Sequence, residues 1–106
     1  PSLLDKIEGQ LDGLIVASPS NPAGTMLGEA EMRTLVEYCL DRGIRLISDE
    51  IYHGITYSQD GISALRYGRD AIVVNSFSKY FSMTGWRCRI CTPATMPRRL
   101  RMASAA

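Results

Sequence analysis

Three short apolar runs, Gly13-Leu14-Ile15-Val16-Ala17, Ile44-Arg45-Leu46-Ile47-Ser48 and Ala71-Ile72-Val73-Val74-Asn75, recur about 30 residues apart, and each stops abruptly in polar residues. Near-continuous apolarity, rather than strict alternation, fits strands covered on both faces. Between the first two runs the period changes. Met32, Leu35, Val36, Cys39 and Leu40 fall at i, i+3, i+4, i+7 and i+8, the apolar stripe of an amphipathic helix over about 28–41. Glu29 and Glu31 near its start, and Arg42 and Gly43 at its end, suit the helix dipole and a glycine C-cap. Between the second and third runs lie a polar stretch (58–61) and a short helical turn near 63–67. Strand, helix, strand, crossover, strand predicts an α/β fold: a three-layer α/β/α arrangement around a mostly parallel sheet.

The bulk numbers exclude more than they identify. At 106 residues the chain is long enough for one domain, and with 45% hydrophobic residues neither disorder nor a fibrous repeat is indicated. No apolar run approaches the roughly 18 residues a membrane helix needs, so no membrane partner is expected. The opening Pro-Ser-Leu-Leu-Asp-Lys is not a secretory signal, and a start on Pro1 rather than Met is expected of a segment from a longer chain. The three cysteines, Cys39, Cys88 and Cys91, are read as neither a disulfide framework nor a zinc site; no metal is expected, and a reducing, cytoplasmic setting is. The net charge of +1 conceals an asymmetry. Residues 1–70 carry 6 basic and 11 acidic side chains, whereas 71–106 carry 6 basic and no acidic ones. Residues 88–106 hold four of those arginines and no aromatic, which argues against a nucleic-acid surface.

In open α/β sheets, ligands bind outside the carboxyl ends of the strands. Asn21 follows the first run, Asp49 and Tyr52 the second, and Ser76, Ser78 and Lys79 the third. Parallel neighbours would bring these groups to one rim. A lysine near a second cation, here Arg87, is suited to attack carbonyls. The surrounding hydroxyls, loop N–H groups and Arg87 suit a phosphate. An amine that forms a Schiff base beside a phosphate site, with a carboxylate for a ring nitrogen, is the equipment that pyridoxal 5'-phosphate (PLP) requires. The blander roles are local. Asp49 could cap a helix near Ile51, Ser78 could cap a turn, and Tyr52 could be a packing aromatic. Glu50 is expected to face a structural partner, His53 to lie at the site's edge or surface, and Trp86 and Cys39 to be core.

Ser20-Asn21-Pro22-Ala23-Gly24-Thr25, Ser48-Asp49-Glu50-Ile51-Tyr52, Asn75-Ser76-Phe77-Ser78-Lys79 and Met83-Thr84-Gly85-Trp86-Arg87 together resemble the class I/II aminotransferases, PLP enzymes of fold type I. The resemblance covers residues 11–87 and includes the separations between motifs. It implies that Lys79 is the internal-aldimine lysine, which then carries the proton between the substrate Cα and the cofactor. Asp49 would pair with the pyridine nitrogen, and Tyr52 and Asn21 would bond the ring's 3-oxygen. Ser76, Ser78 and Arg87 would hold the phosphate, and the Asn21–Pro22 bond would be cis. It further implies amino acid and 2-oxo acid substrates and a homodimer. Residues 1–87 would be the central part of the cofactor-binding large domain, inactive and only marginally stable alone. A lyase or synthase of the same fold would use Lys79 and Asp49 identically, and an aminotransferase-like sensor domain of a transcription regulator would also bind PLP. After Arg87 the resemblance is expected to stop. Residues 88–106 are then either a frameshifted basic tail or a divergent strand over 88–92 followed by a short basic helix near 98–102.

Overall fold

The structure, a computed structural model, describes residues 4–6 and 9–92. Its frame is a four-stranded sheet in the order β1-β2-β3-β4, with β1 at Gly13–Ala17, β2 at Arg45–Asp49, β3 at Ile72–Ser76 and β4 at Arg89–Cys91. β1, β2 and β3 are parallel, and β4 runs antiparallel to β3 with Ser76 opposite Arg89 and Val74 opposite Cys91. The mostly parallel α/β sheet expected from the three apolar runs is present. β2 and β3 start and end one residue later than the runs themselves. Ile44 and Ala71 are buried before pairing begins, and Asp49 and Ser76 stay in the sheet because ladder bonds use the backbone, not the side chain.

The amphipathic stretch forms α1, Glu29–Asp41. At its start the Glu31 carboxylate accepts from Gly28 N–H at 2.8 Å, which satisfies one orphan donor. At its end Gly43 turns left-handed (φ +66°). Gly43 N–H reaches Leu40 O at 3.2 Å and Ile44 N–H reaches Cys39 O at 2.8 Å, the paired bonds of a Schellman cap. Met32, Val36 and Cys39 from α1 close over Leu14, Ile44, Leu46, Ala64 and Ala71 to make the core. Burial pushes the Cys39 thiol up to about 11, because a thiolate would lose its hydration there.

Strand alternation puts Ile15, Ile47, Ile72 and Val74 on the opposite sheet face, where they are only half-buried and outside that core. The described residues therefore supply two of the three expected layers. The second crossover holds only a three-residue 3-10 turn (Ala64–Arg66), and its Ala64 joins the α1 side. Trp86 is not core: it is 73% exposed, on a 3-10 turn (Thr84–Trp86) that no described residue covers. No helix among the described residues is long and apolar enough to cross a membrane. The basic helix suggested near 98–102 lies outside the described residues.

Candidate functional site

The ladder carries its order past the strand ends. Ser18 N–H bonds Asp49 O at 3.1 Å and Glu50 N–H bonds Val74 O at 2.9 Å, so the three loops leave the sheet side by side. The first loop is closed by Gly24 N–H on Ser20 O (2.7 Å) and Ser20 N–H on Thr25 O (2.9 Å). Both its Ser18–Pro19 and Asn21–Pro22 bonds are cis; only the second was expected. The second loop opens with Asp49 Oδ1 accepting from Ile51 N–H at 3.1 Å, a local turn rather than a helix cap. The third loop, 77–88, contains two non-glycine residues in the left-handed region, Ser82 (φ 55°) and Arg87 (φ 54°). Such conformations cost on the order of 1–3 kcal/mol and persist where the surroundings enforce them.

Asp49, Ser76, Ser78, Lys79 and Arg87 line a single open cavity of about 320 Å³, together with Val74, Asn75, Ile51 and Arg89. Asn21 and Tyr52 line the adjoining groove and are joined to each other: Asn21 Nδ2 donates to Tyr52 Oη at 2.9 Å. Lys79 links the two spaces, its Nζ lying 5.5 Å from the centre of the Tyr52 ring, within cation–π range. Lys79 itself is exposed. All seven residues singled out from sequence thus meet at one rim, five in one cavity and two beside it.

The hydroxyls are already engaged. Ser76 Oγ is 2.7 Å from Ser78 Oγ, accepts from Ser78 N–H at 3.1 Å and donates to the Cys88 carbonyl at 3.2 Å. A hydroxyl has one proton to give, so Ser76 can donate to an anion only by releasing Cys88. That leaves Arg87, Arg89 and Lys79 as the cationic donors of the cavity. Arg89 escaped the sequence reading because it was counted with the basic tail. Its position opposite Ser76 in β4 is what brings it to the cavity, and only strand register could have announced that. Cys88 and Cys91, set aside earlier, stand at C-x-x-C spacing and are both exposed. Among the described residues no three metal-ligating side chains cluster.

A carboxylate, an amine, two hydroxyls and two guanidinium groups around one cavity at the carboxyl ends of parallel strands suit, by their chemistry, an anionic ligand with a reactive carbonyl. The comparisons with known proteins narrow that class. The family model for aminotransferase class I and II matches residues 2–103, so the chain belongs to that family, and the match continues past Arg87. It is 46% identical over 87 residues to the valine–pyruvate aminotransferase of Mycobacterium tuberculosis, covering 80% of this chain and 22% of that protein. An aminotransferase crystal structure from M. tuberculosis superposes with a TM-score of 0.82 at 43% identity, covering 89% of this chain and 26% of the other. One from Silicibacter pomeroyi gives 0.80 at 49%, covering 87% and 25%. The chain thus spans about a quarter of the length of these relatives.

Proposed function

We propose that this chain is the cofactor-binding centre of an aminotransferase that moves an amino group from an amino acid to a 2-oxo acid, with PLP as its cofactor. The observation that carries the reading is that Lys79 and Asp49, 30 residues apart in sequence, share one cavity with Ser76, Ser78 and Arg87. The donor set suits PLP: cations for a phosphate, an amine for an aldehyde, and a carboxylate for a ring nitrogen. When bound, that group supplies an electron sink for the bond broken at the substrate's α-carbon.

This chain's residues would do the rest. Arg87 and Arg89 neutralise the phosphate, with Ser76 and Ser78 adding hydroxyls once their mutual bonds exchange. Asp49 would pair with the pyridine nitrogen and keep it protonated by charge attraction. Tyr52, steadied by Asn21, donates toward the ring oxygen. Lys79 Nζ holds the cofactor and moves the proton at the substrate Cα. Residues 1–87 form the central part of the large domain in this reading, and Arg89–Cys91 docks onto it as β4. The named relative, a valine–pyruvate enzyme, supports a small amino acid and pyruvate as the first substrates to try.

A homodimer belongs to the same proposal, supported by Tyr57, Tyr80, Phe81 and Trp86, which are all more than half exposed. So does a reducing, cytoplasmic setting, in which three free thiols persist. The test is a visible absorption band in the PLP-loaded full-length protein that survives gel filtration. It is expected to vanish in Lys79→Ala, with amino transfer falling by about 10⁴-fold or more. A band and turnover unchanged by that substitution would sink the reading.

A further inference from the structure

Glu50 and His53 lie outside the cavity, yet both are deeply engaged. The Glu50 carboxylate is 3% exposed; Oε1 accepts from Ser48 Oγ–H at 3.1 Å and from Ala64 N–H at 2.9 Å. Oε2 stands 3.4 Å from His53 Nδ1. The His53 side chain is 17% exposed, and its Nε2 lies 3.0 Å from the Ser18 carbonyl. Its ring is pressed against Gly61, where an added Cβ would come within 2.5 Å of Cδ2. A buried carboxylate needs partners, and this one has three, of which His53 reaches on to Ser18 in the loop that carries Asn21. With a proton on Nε2 the ring donates to the Ser18 carbonyl, while Nδ1 faces the Glu50 carboxylate.

The bridge has a definite position. Ser18 begins the loop that carries Asn21, and His53 follows Tyr52 directly in the loop that opens at Asp49. Among the described residues those two loops are otherwise hydrogen-bonded by Ser18 N–Asp49 O at their roots and by the exposed Asn21–Tyr52 bond at their tips. We propose that Glu50 and His53 are positioning residues. Through Ser18 they clamp the Asp49–Tyr52 loop to the Asn21 loop, and so fix the Asn21–Tyr52 hydrogen bond at the edge of the cavity. The catalytic significance rests on the functional reading above; the clamp itself does not.

Two measurements on the full-length protein test the pair. The first is backbone amide exchange without cofactor. His53→Ala is expected to speed exchange about tenfold in both 20–25 and 51–55, with β1 and β2 unchanged. The second is the visible absorbance of the PLP-loaded protein against pH, whose midpoint shifts if the Tyr52 hydroxyl is no longer held. Glu50→Gln is the rescuing variant. Its carbonyl still accepts from Ser48 and Ala64, its amide donates to His53 Nδ1, and Nε2–H remains for Ser18. Both readouts should therefore stay near those of the unsubstituted protein, and Glu50→Ala should lose them. His53→Gln repeats the comparison if the alanine variant does not fold. Faster exchange confined to 51–55, or lower thermal stability with an unmoved absorbance midpoint, overturns the proposal. A protein that binds no PLP yet loosens both loops on His53→Ala would retain the clamp and remove only the functional reading.

Discussion

Near their amino ends the parallel strands run under α1, where Leu14, Leu46, Met32, Val36 and Cys39 are almost wholly buried. At their carboxyl ends the same strands pass into Ser18, Asp49 and Ser76, and the loops beyond are held by hydrogen bonds that run from the buried Glu50 carboxylate to the exposed Asn21–Tyr52 pair. The two ends share a backbone ladder and little else. Stability is concentrated in the lower half, where burial scales with area. The upper half holds chemistry that needs water-accessible polar groups and a backbone kept in costly conformations at Ser82 and Arg87. The difference predicts that substitutions should sort into two groups, one moving the unfolding midpoint and the other moving ligand binding.

The largest separation is expected from Leu46→Ala, which opens a cavity under α1. It should cost about 2–5 kcal/mol in denaturant unfolding of the full-length protein, with PLP affinity of the folded fraction unchanged. Loss of affinity in step with stability would break the division. At the rim, Arg87→Gln should weaken PLP binding more than tenfold and Arg89→Gln a few-fold, while unfolding moves by about 0.5 kcal/mol or less. Equilibrium dialysis measures both, and an inert Arg89 would remove β4 from the site. The smallest effect falls on a lower-half backbone position. Gly43→Ala has open space for its methyl but keeps φ at +66°, so it should cost about 1 kcal/mol and leave ligand binding untouched.

How far the sequence reached follows from how local each signal was. α1 was legible because its stripe, first-turn acids and terminal glycine all lie within 16 residues of one another, from Gly28 to Gly43. The parallel strands were legible because burial on a sheet writes an apolar run. β4 could stand only as an alternative: Arg89-Ile90-Cys91 is an exposed edge strand whose place depends on pairing with β3. The seven rim residues were found by motif and converge in space. Glu50 does face structural partners, as expected, whereas Arg89 and His53 were undervalued because their partners are far along the chain: Arg89 lies opposite Ser76, and His53 bonds Ser18, 35 residues away. Trp86 misled for a simpler reason. A large aromatic suggests burial, but burial needs a neighbour, and none of the described residues covers it.

The strand order β1-β2-β3-β4 is also the order of synthesis. Among the described strands each pairs with the one made just before it, and none is threaded between two that are already joined. The sheet can be laid down at a single advancing edge as the chain lengthens. On that path Asp49 is in place before Lys79 has been translated, and the cavity they share gains Arg89 when β4 pairs alongside Ser76. For these four strands the order of manufacture is also the order of pairing, so the rim they share follows the core beneath it.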